Sequence, residues 1–374
     1  MKTENPSEVP IRRERKPVDV GLDFLWLELT NRCNLQCVHC YTESGPQTGD
    51  SDRLTADDYL SVMTQAYALG CRKMQFIGGE PMLNPDFQRL LEASKEIGFE
   101  FIEVFTNLTH LDEKTLQFAR SAKIHFATSV YSENPELHGA VTRNRASHAR
   151  TIGNLKRLIE NGIETRAAVL CINQELSDIE NTKRFLTRLG VRRVRSSYVR
   201  AFGRGEDLGS RPSNMSELCG HCWAGRLCIA PDGKAFPCVM ARQWQVGNVL
   251  ETTLASIVHS IALRDIRAII HETVWLPKRA AGRARDGHAV EGEPGSGDEP
   301  QSPDEGENLP ECPQSCTPNC GPDVERVEIE IVDPECPQSC TPNCGPDVEG
   351  VEIEIVDPEC PQSCTPNCGP DVES

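Results

Sequence analysis

The sequence predicts an α/β fold built on a parallel sheet, and three observations carry the prediction. Short apolar runs of strand length recur between residues 22 and 200. Between them lie stretches with helical apolar spacing, bounded by capping residues and glycines. Strands alternating with helices in this way pair in parallel through right-handed crossovers. Finally, 38% of the 374 residues are hydrophobic, enough to bury a sizeable core.

Taken in order, the strands are read at FLWLELT (24–30), KMQFIG (73–78), FEFIEVFT (99–106), KIHFATSV (123–130), TRAAVLCI (165–172) and VRRVRSSYV (191–199). Thr55 is placed to cap a helix whose apolar side is Leu60, Met63 and Tyr67 and which Gly70 ends. Asn84 and Pro85 start a second, with Phe87, Leu90, Leu91 and Ile97 on one side and Gly98 as its stop. Ile152, Leu155, Leu158 and Ile159 before Gly162, then residues 177–189 before Gly190, repeat the pattern.

Ligands of such sheets gather at the carboxyl ends of the strands. Those ends carry Cys33, Cys37 and Cys40 after the first strand, Gly78-Gly79-Glu80-Pro81 after the second and Asn107 after the third. Ser129 ends the fourth, Asn173 follows the fifth and Arg200 the sixth.

Charge is unevenly divided. The chain has a net charge of −17, yet residues 291–374 hold 22 acidic residues and one arginine, while residues 1–290 hold 38 basic against 34 acidic. The body is thus nearly neutral and lacks the basic field that nucleic acid requires. The N-terminal stretch has no apolar core like that of a signal peptide, and no run long enough to span a membrane occurs. The expected location is cytoplasmic. In a reducing compartment the eighteen cysteines are better explained by metal or catalysis than by disulfides.

Three thiols at the spacing C-x3-C-x2-C are one short of a closed zinc site, and His39, squeezed between Cys37 and Cys40, is the available fourth zinc ligand. A cubane iron–sulfur cluster on three thiolates leaves one iron open to a cofactor or substrate. The motifs CNLQCVHC after the first strand and GGEP after the second resemble those of the radical S-adenosylmethionine (SAM) superfamily. That resemblance implies a partial (β/α)6 barrel, a 4Fe-4S cluster on Cys33, Cys37 and Cys40, and SAM on the open iron. It further implies SAM contacts from Gly78, Gly79, Glu80, Asn107 and Ser129, with Asn173 near the adenine. His39 departs from the aromatic residue the family usually places before the last cysteine. Arg143, Arg195 and Arg200 are candidates to face a substrate carboxylate.

A second cysteine group lies in ELCGHCWAGRLCIAPDGKAFPC. From spacing alone Cys219, Cys222, Cys228 and Cys238 fit zinc and iron–sulfur alike. APDGKAFPC reads as a hairpin turning at Asp232-Gly233, with Cys238 on its return strand. Cys222, Gly233 and Cys238 followed by GNV are similar to the SPASM or twitch extension of the same superfamily, which implies at least one auxiliary iron–sulfur cluster. Cys71 and Cys171 are read as packed core thiols.

Beyond a Gly/Pro/acid-rich stretch comes ECPQSCTPNCGPDVERVEIEIVDP, repeated with a period of 24 residues and cut short in its third copy, the two full copies differing only at Arg326 versus Gly350. Cys312, Cys316 and Cys320 of the first copy are possible ligands of an auxiliary cluster; a disordered extension and a fused peptide substrate are the other readings.

The expected organisation is an N-terminal arm (1–21), the barrel (22–205), a small cysteine-rich auxiliary-cluster domain (206–275), a flexible acidic linker (276–310) and a largely disordered repeat tail (311–374). The resemblance implies an enzyme that cleaves SAM reductively and abstracts hydrogen from a substrate, most often a ribosomal peptide. Alternatives are a dehydrogenase or epimerase of a small molecule such as a sugar, and a non-catalytic iron–sulfur or metal-binding protein. A flavodoxin- or ferredoxin-type donor is the expected electron source.

Overall fold

The structure, a computed structural model, describes residues 20–172, 174–208 and 214–285. Six parallel strands form in chain order: β1 (Phe24–Glu28), β2 (Lys73–Ile77), β3 (Phe101–Phe105), β4 (His125–Ser129), β5 (Thr165–Cys171) and β6 (Arg193–Tyr198). They are joined by α1 (Ala56–Ala68), α2 (Phe87–Ile97), α3 (Glu113–Ala122), α4 (Pro135–Thr142), α5 (Ser147–Glu160) and α6 (Leu176–Arg188). Three further strands follow, β7 (Arg226–Ile229), β8 (Lys234–Phe236) and β9 (Gly247–Asn248), then α7 (Leu254–Val258), α8 (Ile261–Ile270) and α9 (Leu276–Arg285).

The strand order is β6-β5-β4-β3-β2-β1-β7-β8-β9. Each of the first six strands lies beside its sequence neighbour, the order of a singly wound barrel without the reversal that marks a doubly wound sheet. β6 and β9 remain edges, so the barrel is partial. Along each strand alternate residues face opposite sides. Leu25, Leu27, Met74, Phe76, Ile102, Val104 and Phe126 join the core beneath the helices. On the other side Gln75 of β2 donates to Glu103 of β3, and Glu103 takes two 2.8 Å bonds from the Arg166 guanidinium of β5.

The helix starts follow local chemistry. Thr55 caps α1 in a full capping box with Asp58, and the buried side of α1 is Ala56, Tyr59, Val62, Met63 and Ala66. The expected Leu60 and Tyr67 flank that side. α2 begins two residues later than Asn84-Pro85 suggests, because the Asn84 side chain accepts the Asp86 amide and holds a turn ahead of the helix. The β4–β5 crossover contains α4 as well as the expected α5, with Asn134 capping it and Pro135 at its first position.

Two expectations about the second half change. The cysteine-rich hairpin is an extension of the barrel sheet, since β7 pairs in parallel with β1 from Phe24↔Arg226 to Leu27↔Ile229. Its turn does fall at Asp232-Gly233, with Gly233 at φ 85°, but Cys238 lies two residues beyond the return strand β8. Residues 276–285, where the linker was expected to start, are helical as α9. Among the described residues no helix is long and apolar enough to cross a membrane. Cys312, Cys316, Cys320 and the rest of the repeats lie outside the described residues.

Candidate functional site

The loop after β1 is fixed along its length. The Cys33 amide donates to the Gly45 carbonyl (3.0 Å), and the Gln36 and Val38 amides donate to the Thr142 and Val141 carbonyls of α4 (3.2 and 3.0 Å). Arg204, after β6, clamps the loop from the other side: its Nε donates to the Cys37 carbonyl (2.8 Å) and its Nη2 to the Ser44 carbonyl (2.7 Å). Gly203 sits against the loop backbone at φ 55°, where an added Cβ would meet the Cys40 and Tyr41 carbonyl oxygens at 2.6 Å. Only glycine fits such an approach.

Each of the three thiols has polar company. Cys33 Sγ accepts from the Leu35 amide (3.4 Å) and faces the Asn107 amide nitrogen at 3.7 Å. The Tyr131 hydroxyl is 4.0 Å from Cys37 Sγ, and the Thr42 hydroxyl 3.3 Å from Cys40 Sγ. Burial pushes the Cys33 and Cys37 thiols up to about 12. A nucleophilic cysteine is held low instead; buried thiols surrounded by donors suit ligation, which deprotonates them as metal binds. Among the described residues no three Cys, His, Asp or Glu side chains close around a single ion. A cubane spreads its thiolates over separate irons and asks only that they share one loop and one face, so this donor set fits it. His39 packs edge-on against Tyr131 with ring centroids 5.0 Å apart, and burial pushes it down to about 4.

The Gly-Gly-Glu turn after β2 has a duty within the protein. A Cβ at Gly78 would meet the Thr30 carbonyl oxygen at 2.6 Å, and one at Gly79 would run into the Arg32 backbone. Both glycines therefore let this turn lie against the cluster loop. Glu80 is buried, and its carboxylate accepts from the Met82 amide (3.2 Å), the Thr106 hydroxyl (2.7 Å) and the Asn107 amide (2.8 Å). Burial raises it to about 7 against those bonds. Glu80 thus ties the second strand end to the third. The Asn107 side-chain nitrogen, Nδ2, donates to Asn34 Oδ1 (2.8 Å). Ser129 supports the Tyr131 hydroxyl. Asn173 lies outside the described residues.

Of the other cysteines, Cys222 Sγ and Cys238 Sγ approach to 2.9 Å, and Cys219 neighbours Cys222. All three are free thiols. Contact with Cys222 pulls Cys219 down, while burial pushes Cys228 up. Cys228, on β7, packs with Ala230 and Phe236 beside Trp26 and lies within electrostatic reach of Cys238. Cys71 and Cys171 are buried in the core, as expected.

A cleft of about 390 Å³ lies between Tyr41–Glu43, Phe202–Asp207 and Met240–Gln243, bringing the end of the cluster loop to the segment after Cys238. Two of its lining residues, Arg242 and Tyr41, bond to the buried Glu28, 1% exposed, which accepts from Arg242 (2.6 Å) and from the Tyr41 hydroxyl (3.1 Å). Sequence reasoning missed this trio and Arg204, because β1, the loop after β6 and the segment after Cys238 become neighbours only through the sheet. Arg200 donates to the Glu217 carbonyl (3.0 Å), Arg195 is exposed on β6 and Arg143 is exposed at the end of α4. None of the three lines the cleft.

The profile of the radical SAM superfamily matches residues 27–186, and that of the SPASM iron–sulfur cluster-binding domain matches residues 219–280. Together they cover more than half of the chain. The chain belongs to the radical SAM superfamily. Membership brings a 4Fe-4S cluster, SAM and, with the SPASM domain, auxiliary iron–sulfur ligation. Among relatives, the antilisterial bacteriocin subtilosin biosynthesis protein AlbA of Bacillus subtilis (strain 168) is 25% identical over 268 residues, 62% of this chain and 58% of AlbA. The chain thus spans little more than half of that relative. A GTP 3',8-cyclase of Limosilactobacillus fermentum is 30% identical over 149 residues, 39% of this chain and 42% of the cyclase. Streptococcus suis SuiB bound to S-adenosylmethionine superimposes with a TM-score of 0.56 at 17% identity, over 67% of this chain and 68% of SuiB. At that identity the likeness is one of fold.

Proposed function

We propose that this radical SAM enzyme modifies a peptide. The observation that carries the reading is the junction of the two cysteine-bearing segments: β1 and β7 pair directly, and the end of the cluster loop and the segment after Cys238 line one cleft, where in this reading the peptide lies. AlbA is named for bacteriocin biosynthesis, and SuiB has been crystallised with the precursor peptide SuiA; both fit the reading. GTP cyclase relatives favour a small-molecule substrate, one of them aligned over 39% of this chain at 30% identity and a probable GTP 3',8-cyclase of Methanothermobacter marburgensis over 67% at 23% identity. Residues 22–205 form the radical-generating part and residues 206–275 the auxiliary part.

In this reading Cys33, Cys37 and Cys40 hold the 4Fe-4S cluster. Bound there, the cluster and SAM would supply one-electron reductive cleavage of SAM and hydrogen-atom abstraction from the substrate. The chain's own residues do the rest. Arg204 and Gly203 hold the loop in register, and Asn107, Tyr131 and Thr42 steady the sulfurs. Gly78, Gly79 and Glu80 set the wall on which the SAM methionyl group rests, with Asn107 and Ser129 toward its ribose. Cys219, Cys222 and Cys238, with Cys228 nearby, ligate an auxiliary cluster.

Anaerobically reconstituted protein with dithionite and SAM is expected to release 5'-deoxyadenosine, and the triple change of Cys33, Cys37 and Cys40 to Ala to abolish it while about four irons per chain remain on the auxiliary site. A set of cysteine-containing synthetic peptides should raise the yield and GTP should not. Equal yield from the triple variant refutes the radical assignment; stimulation by GTP alone refutes the peptide.

A further inference from the structure

The reaction proposed above draws its electron from outside the chain, so the cluster loop needs a route to the surface. The corner between α4 and α5 supplies one. Between Leu137 and Ile159 the sequence carries five cations and no acidic residue. Arg143, Arg145 and Arg150 are exposed there, and no ion pair neutralises them among the described residues. The acids of the two helices stand at the far ends, Glu136 in the first turn of α4 and Glu160 at the close of α5.

These cations stand where they weaken the fold. Arg145 precedes α5 and Arg150 follows its first turn, which has no acidic residue and whose N-cap, Ala146, offers no side-chain acceptor. Positive charge at that end opposes the helix dipole. Arg143 adopts a left-handed backbone, φ 54°, uncommon for a non-glycine residue. A sequence written for stability alone places Ser or Asp here; such local conflicts gather at functional positions.

The corner is also joined to the cluster loop by packed atoms. Besides the two backbone bonds from Gln36 and Val38 to α4, a ladder of rings leads outward from Cys37. The Tyr131 hydroxyl is 4.0 Å from Cys37 Sγ, Tyr131 and His138 have ring centroids 5.2 Å apart, and His138 and His148 5.3 Å apart. His148 lies in the first turn of α5, between Arg145 and Arg150. Rings in contact leave no void across which electronic coupling is lost.

We propose that Arg143, Arg145 and Arg150 form the docking surface for a small acidic one-electron carrier protein. The carrier loses one electron and the cluster on Cys33, Cys37 and Cys40 gains it; no bond or proton moves. The inference rests on the cluster assignment above.

The test measures reduction of the reconstituted full-length protein by stopped-flow bleaching, once with a reduced flavodoxin and once with dithionite. The parent's flavodoxin-driven rate should fall steeply with added salt. The charge-reversed variant Arg143→Glu/Arg145→Glu/Arg150→Glu should be slower by about 10-fold or more with flavodoxin, and the neutral Arg→Gln triple should be intermediate. With dithionite all three proteins should reduce alike and yield the same 5'-deoxyadenosine. Equal flavodoxin rates in parent and charge-reversed protein overturn the docking surface. So does a parent that dithionite reduces and flavodoxin does not. If the reversal instead abolishes binding of duplex DNA or of phosphatidylserine vesicles and spares flavodoxin-driven reduction, the corner serves a different polyanion and the proposal fails. Absence of a dithionite-reducible cluster in the parent refutes the underlying assignment.

Discussion

At the scale of single residues the site is governed by what surrounds each polar atom. Gly79 tests this most simply. Gly79→Ala drives a methyl group into the Arg32 backbone, which has no side chain that can swing aside. We expect a loss of roughly 1–3 kcal/mol of stability and a lower iron content, read by thermal melting and iron analysis; an unchanged melting temperature with full iron loading would show that the turn does not press on the cluster loop. His138 tests burial. Burial, with His148 beside it, pushes His138 down to about 3. Below the ordinary histidine value the unfolded chain takes up a proton that the folded chain refuses, so the unfolded state binds more protons and stability falls as pH drops from about 6.5 toward 3. The limiting slope for one such group is about 1.4 kcal/mol per pH unit. His138→Asn keeps an acceptor for the Tyr131 amide and cannot titrate, so its unfolding midpoint should fall less steeply over that range. Parallel profiles for parent and variant would count against the burial argument.

At the scale of elements the barrel holds its strands together from the inside as well as through its ladders. Arg166 of β5 reaches past β4 to Glu103 of β3, which is only 3% exposed and also takes the Gln75 amide of β2. Breaking a buried pair from one side leaves a charge without compensation. Arg166→Met alone should therefore destabilise the protein by about 3 kcal/mol, while Arg166→Met with Glu103→Leu should recover most of the loss, both measured as denaturation midpoints. A double variant no better than the single would show that the pair acts through packing instead of charge. The strands and the capped helices were legible because their signals are local: short apolar runs, a Thr55 able to cap, and a glycine after the last turn. The helix α4 was not, since eight residues with Gly139 inside carry little periodicity.

At the scale of the whole molecule the repeats pose the largest question. If duplication made the second and third copies redundant, a chain ending after Asp333 keeps Cys312, Cys316 and Cys320 and should retain its iron, activity and tail mass. A chain ending before Glu311 should show a modest loss of auxiliary iron and stability, because ligation that orders a segment stabilises the folded state. Equal iron in both truncations would remove the tail from the ligand set, and a mass change of the intact tail on incubation with SAM and reductant would make it a substrate. The sequence by itself determined the strand order's raw material, the three thiols after the first strand, the glycine turn after the second and the cysteine hairpin, all of them patterns within a few dozen residues. Only the tertiary structure decided that β7 completes the sheet beside β1, that Arg204 and Gly203 brace a loop some 160 positions away, and that Glu28 meets Arg242. It also turned Glu80 from a free acceptor into a brace between two strand ends. The reason is physical: a local pattern fixes the conformation and exposure of its own segment, whereas the partner of a buried charge or carbonyl is set by which strands lie side by side, and that follows from closing the whole sheet over one core.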